Sequence, residues 1–260
     1  MHERKLAVAA LLLAMSTARA DDAAVSYQLE GSVASTYVFR GIPQYTTRRD
    51  PSRQNTALVK VDHVGPGAIT FAAWNAVALS GYDMQPGTAV EVDLSASYGI
   101  TLGKVAVAAG YMAYIFPNHS TGAPMDGAHE VQVLASYDNP YVVPTVGAFV
   151  EVVRQQGAYV TLAGAHDFHH GAWTVSPAVC IGAATYRKYL GGDQAIGPHL
   201  NDITAGVAAR VDLPGGMYLV GRFSYALRGT PVAEMPATTV GWGFDGRSSA
   251  VGSIGFGVAR

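Results

Sequence analysis

The chain has 260 residues, of which 49% are apolar and only 14% charged, with 30 Gly, 13 Pro and one Cys. A soluble domain carries roughly 25% charged residues, so this composition argues against an ordinary water-facing exterior. A lone thiol excludes an intrachain disulfide. The longest apolar run outside the N-terminus, Val105 to Phe116, is 12 residues and contains Gly110, Tyr111 and Tyr114. It falls well short of the ~18 residues a membrane-spanning helix needs.

The first twenty residues read as a secretory leader: Arg4 and Lys5 form a basic n-region, Leu6 to Met15 an apolar stretch, and Ala18-Arg19-Ala20 an A-x-A cleavage pattern. The expected mature chain is Asp21 to Arg260. Removing Glu3, Arg4, Lys5 and Arg19 leaves 14 basic and 18 acidic residues, which moves the net charge from −2 to −4. No basic excess supports nucleic-acid binding.

From Val25 to Phe39 the odd positions (Val25, Tyr27, Leu29, Val33, Tyr37, Phe39) are mostly apolar and the even ones (Ser26, Gln28, Glu30, Ser32, Thr36) polar. This period of two predicts a strand with one apolar and one polar face. The pattern recurs to the end of the chain: Val90, Val92, Leu94, Ala96 and Tyr98 oppose Glu91, Asp93, Ser95 and Ser97, and Val131, Val133, Ala135 and Tyr137 oppose Glu130, Gln132 and Ser136. Ile203, Ala205, Val207, Ala209 and Val211 oppose Thr204, Arg210 and Asp212, and Leu219, Phe223 and Tyr225 oppose Arg222 and Ser224. About twelve strands are predicted, starting near Val25, Thr56, Ile69, Ala89, Val105, Glu130, Val142, Ala158, Trp173, Ile203, Met217 and Ala250.

The connections alternate. Gly41 to Arg53, Ser80 to Thr88, Pro117 to Ala128, Arg187 to Leu200 and Gly229 to Ser249 are long, whereas Gly65-Pro66-Gly67, Gly99 to Gly103, Asp138-Asn139-Pro140, Asp167 to Gly171 and Pro214-Gly215-Gly216 are short; Arg154 to Gly157 breaks the alternation. Short turns at one end and long loops at the other organise a transmembrane antiparallel up-and-down β-barrel. The all-β fold class follows, with outer-membrane lipid as the partner of its apolar face. Tyr27, Phe39, Phe71, Tyr98, Tyr137, Trp173, Tyr225 and Phe256 suit its interfacial aromatic girdles. A secreted sandwich or lipocalin-like barrel is the competing architecture.

The segment Gly31-Ser-Val-Ala-Ser-Thr-Tyr37-Val-Phe39-Arg40-Gly41-Ile-Pro-Gln44 resembles the opening strand of the TorF-family porins, also called the Gcw_chp family, which reads approximately G-N-V-x-x-x-S-D-Y-x-F-R-G-I-S-Q. Thr36 replaces the usual Asp, Pro43 the usual Ser, and the spacing before Tyr37 differs. Trp74-Asn75, Glu91 and Asp93, the run from Gly110-Tyr111 through Tyr114 to Pro117, and His129-Glu130-Val131 add echoes, so the resemblance covers about the first half of the chain. It implies an exported outer-membrane barrel with a pore role, passing small solutes or ions. Such barrels usually end on an aromatic residue, and this chain ends Phe256-Gly-Val-Ala-Arg260, so either its last strand stops at Phe256 or its assembly is unusual.

A charge on the lipid face costs about 2 to 4 kcal/mol at mid-membrane, so strand charges belong in the lumen. Parity assigns there Glu30, Asp62, Glu91, Asp93, Glu130, Glu151 and Asp212 against Arg40, Lys60, Arg210 and Arg222, seven acids to four bases. Two readings stand side by side: a field modestly favouring cations, and cross-strand pairs that merely fill the barrel. Arg40, beside Gly41 at a loop mouth, is the first choice for a constriction residue. Twelve strands lie between filled eight-stranded barrels and open 16-stranded porins, so the channel should be narrow.

Other motifs carry less. His166-Asp167-Phe-His169-His170 falls on a predicted turn and reads as solvated rather than metal-binding. Gly241-Trp-Gly243-Phe-Asp-Gly246 matches G-x-G-x-x-G, but a strand and not a helix is predicted after it. An outer-membrane phospholipase-like enzyme would need a Ser and an oriented His, and the one close pair, His119-Ser120, sits in a loop. No catalytic residue, cofactor or metal is expected. A structural or adhesive barrel, resting on the long final loop, is the remaining alternative.

Overall fold

A computed structural model describes residues 25–43, 51–80, 86–117, 127–153, 157–185, 197–229 and 248–260. The expected leader, the His119-Ser120 pair and the Gly241 to Gly246 motif lie outside these residues. The strands are β1 (Val25–Ala34), β2 (Val38–Phe39), β3 (Ile42–Pro43), β4 (Ser52–Val64), β5 (Gly67–Ala78), β6 (Ala89–Leu102), β7 (Val105–Ile115), β8 (Ala128–Tyr137), β9 (Val143–Glu151), β10 (Ala158–Ala165), β11 (Phe168–His170), β12 (Trp173–Ala184), β13 (His199–Asp212), β14 (Met217–Arg228) and β15 (Ser248–Ala259).

Twelve of the strands among the described residues, each 8 to 14 residues long, form one closed antiparallel barrel. Chain neighbours pair in order, β10 passes to β12, and β15 closes on β1 through pairs running from Gln28 with Ala259 to Ala34 with Ser253. Closure leaves no sheet edge unpaired, which is what lets strands cross a membrane without exposing backbone N–H and C=O groups to lipid.

The period of two becomes two faces. On the outside, Leu29, Val33, Leu94, Val133, Val146, Leu162, Val179, Phe223 and Ile254 are all exposed, while the alternate positions turn inward. An apolar exterior of this extent around the whole barrel is a surface for lipid rather than water. Tyr27, Tyr98, Tyr137, Trp173 and Phe256 lie on that outer face toward the short-turn end, with Phe71 one step further in and Tyr225 toward the loop end.

Four expectations need correction. The first strand stops at Ala34 rather than Phe39, and Ser35 to Pro43 leave the sheet. Phe39 is therefore no girdle residue; it is buried, on a segment folded into the barrel. The turn expected from Asp167 to Gly171 holds the short strand β11, which pairs with the start of β12 and places His169 Nδ1 3.0 Å from Thr174 Oγ1. The last strand does not stop at Phe256: β15 runs to Ala259, and Arg260 still exchanges two main-chain hydrogen bonds with Tyr27.

Candidate functional site

After β1, residues 35–43 turn into the barrel at its loop end. β2 and β3 form a tight hairpin in which Phe39 faces Ile42, leaving Arg40 and Gly41 at the tip. Both tip residues have positive φ, 49° and 76°, the geometry of a two-residue I′ turn. Glycine suits it at Gly41 for a second reason: a Cβ there would stand 2.7 Å from the Cβ of Asp202. Arg40 has no such licence, and an L-residue in this region costs about 1 kcal/mol. Its side-chain contacts offset that cost.

Arg40 Nη1 and Nη2 donate to Glu130 Oε1 and Oε2 at 2.8 and 2.7 Å, a fork-to-fork pair with both side chains buried. The guanidinium also lies over the rings of Tyr159, Phe39 and Phe149, at 4.4, 4.7 and 5.1 Å from their centroids. The backbone is held from the other wall: Asn201 Nδ2 donates to the Arg40 carbonyl at 2.9 Å, and Ser249 Oγ and Arg228 Nη1 reach the Gly41 carbonyl at 3.4 Å. Asp202 accepts from Tyr159, Asn201 and Thr204. Room for Tyr159 comes from Gly182 on β12, where a Cβ would collide with its hydroxyl.

On the opposite side Tyr37 and Phe39 bury against Ala76, Val90, Met112 and Tyr114 of the inner wall, and Tyr37 tilts against Trp74 with ring centroids 5.0 Å apart. Burying two aromatic side chains supplies roughly 2 kcal/mol each toward holding this short segment inward, beside the hydrogen bonds and ion pair of its tip. The Tyr37 ring lies close enough to Glu91 and Asp93 for their charges to act on its hydroxyl. Tyr114 donates to Glu130 Oε2 at 2.7 Å, so one carboxylate serves both the wall and the hairpin.

A second polar layer sits at mid-barrel. Arg222 Nη1 and Nη2 bind Glu30 Oε1 and Oε2 at 2.6 and 2.8 Å, Tyr218 donates to Glu30 at 2.9 Å, and Gln28 Nε2 donates to Tyr218 at 2.9 Å. Toward the turn end Arg210 pairs with Asp212 and lies 3.8 Å over the Tyr218 ring, while Lys60 pairs with Asp62 at 2.7 Å. Between the hairpin and the Glu30–Arg222 layer is a cavity of about 370 Å³.

Each of the four candidate bases thus makes an ion pair with one of the seven candidate acids. Of the other three, Glu151 accepts from the main-chain N–H groups of His129 and Val153, and Glu91 and Asp93 lie together on β6 behind Tyr37. Arg40, Glu91, Asp93, Glu130 and Glu151 gather at the loop end; Glu30 and Arg222 occupy the middle; Lys60, Asp62, Arg210 and Asp212 the turn end. Sequence reasoning missed Asp202 and Arg228, both buried. Asp202 shares the parity of Arg210 and Asp212, and Arg228 that of Arg222. The signal was there, but the expected strand began at Ile203 and the β14 pattern was followed no further than Tyr225. Among the described residues no three His, Cys, Asp or Glu side chains converge on a metal position.

This architecture is that of porin-like outer-membrane barrels. The chain is similar to the COG4313 outer membrane channel from Pseudomonas putida F1, with a TM-score of 0.55 at 10% identity over 93% of this chain and 97% of that one. It is also similar to the NanC porin, with a TM-score of 0.52 at 11% identity over 90% of this chain and 98% of that one. At such identities the likeness is one of fold. No protein-family model matches the sequence, and no curated protein matches it.

Proposed function

We propose that this protein is an outer-membrane channel of the TorF-family porin type, exported by its N-terminal leader, through which small solutes or ions diffuse passively with a weak preference for cations. The observation that carries the reading is the combination of a lipid-type exterior with an ionised, cavity-bearing interior in one closed twelve-stranded barrel. Charge is expensive on the outer face and is useful inside, where it sets the field along a solute's path. The motif from Gly31 to Gln44 supports the family assignment by its sequence, and its Phe39-Arg40-Gly41-Ile42 core forms the hairpin folded into the lumen.

The hairpin makes Arg40 a clamp rather than a free constriction charge. Selectivity then rests on the acids in excess of the bases, which favours cations. Reconstitution in planar bilayers tests the reading: discrete conductance steps and a reversal potential displaced toward the cation side are expected. Silent bilayers from correctly folded protein would remove the channel, and anion selectivity would remove the charge argument.

A further inference from the structure

The cavity between the hairpin and the Glu30–Arg222 layer offers a solute hydroxyls and an aromatic ring, and no uncompensated charge within reach. Of the acids that border it, Asp93 shares a hydrogen bond with Glu91 and is 2% exposed, Asp202 is 1% exposed and accepts from three neighbours, and Glu30 is held by Arg222. Of its bases, Arg40 is buried against Glu130 and Arg222 is paired with Glu30. A charged solute settling here would give up hydration without meeting an unpaired counter-charge.

What remains reachable is neutral. Thr56, Ser95, Ser224 and Ser253 occupy inward positions, line the cavity and are half-buried, and their hydroxyls make no hydrogen bond among the described residues. Strand register sets three of them on one concave arc. Thr56 of β4 stands opposite Trp74 of β5 on one side and Glu30 of β1 on the other, and Ser253 of β15 stands opposite Arg222 of β14, two residues from Ser224. The Glu30–Arg222 pair bridges this arc across β15, where Gly255 makes the room: a Cβ there would stand 3.2 Å from Glu30 Oε1. Trp74, with Tyr37 tilted against it, borders the cavity at the end of the arc.

A hydroxyl both donates and accepts, so a wall of serine and threonine hydroxyls is complementary to a solute made of hydroxyls. The ion pair adds donors and acceptors side by side without net charge, and Trp74 adds an apolar surface for C–H groups. We propose that this cavity is a binding subsite for a small neutral polyhydroxylated solute of monosaccharide size, its hydroxyls exchanging hydrogen bonds with Thr56, Ser224, Ser253 and the Glu30–Arg222 pair, and its C–H face against Trp74. The volume of about 370 Å³ stands at the small end of ligand pockets, the scale of a single sugar ring. Small ions cross the same space hydrated, under the field of the acids, whereas the polyol is the solute that the wall itself holds. The solute class deepens the proposed channel reading and rests on it for its transport meaning, but the binding itself is separable.

Saturation-transfer NMR of D-glucose with the full barrel in lauryldimethylamine oxide, a detergent without a sugar headgroup, tests this. Saturable transfer from protein to glucose is expected. Loss of two hydrogen bonds in the double variant Thr56→Val, Ser253→Ala should weaken binding about fivefold or more, and Trp74→Leu should weaken it by a similar factor. Trp173→Leu, on the lipid face, should leave it unchanged. Heat-modifiable gel mobility certifies that each variant is folded, and the hydroxyl double variant carries the test if Trp74→Leu is not. No saturable transfer, equal affinity in the folded cavity variants, or binding of acetate or methylammonium in place of glucose would overturn the proposal. A protein that binds glucose and does not conduct retains the subsite and loses the channel; one that conducts and binds no glucose does the reverse.

Discussion

Arg40 concentrates the local physics of the site. It combines a left-handed backbone, a two-pronged bond to Glu130 and three aromatic rings, and none of these compensates if the side chain is cut away. Arg40→Ala strands Glu130 in the buried interior, so a stability loss of about 3 to 5 kcal/mol is expected in denaturant titration of the folded barrel. Arg40→Lys keeps the charge without the fork and should lose less. Gly41→Ala tests the tip independently: its φ of 76° and the 2.7 Å approach of the Asp202 Cβ predict a loosened hairpin, read as faster proteolysis within residues 35–43. The sequence pointed to Arg40 but not to its partners. Apart from the adjacent Phe39, those partners are 90 and more residues away in the chain, and nothing in a period of two tells which inward positions meet across a lumen.

Strands were the most legible elements. Seen from the sequence, Val25, Ala89, Val105, Ala158, Trp173 and Met217 open strands, and each of them opens one in the structure. The reason is physical: lipid outside and a polar interior impose alternation on every spanning strand. The same rule misled at Tyr37 and Phe39, which continue the alternation but bury against the inner wall after the chain has left the sheet at Ala34. Aromatic residues that face lipid and aromatic residues that pack inside leave the same mark in a sequence. Two predictions belong at this scale. Leu162→Arg, on the outer face of β10, should destabilise the barrel in lipid by about 2 to 4 kcal/mol, whereas Ser224→Lys, facing the cavity, should cost far less. Replacing residues 35–43 by a Gly/Ser linker should leave a heat-modifiable barrel with a conductance several-fold larger, because the hairpin and its clamp no longer narrow the lumen.

At the scale of the whole molecule, the low charge content and the ion-pair layers are one fact seen twice. One face of nearly every strand meets lipid and can hold no charge, so the spanning charges are pressed into an interior where bases pair with acids and the acids remain in excess. An interior so ordered has a sign, and the sign is measurable. The most direct test of the account is the reversal potential of the reconstituted barrel under a potassium chloride gradient. A conducting channel with a modest cation preference is the predicted result; no conductance, or a preference for chloride, would contradict it.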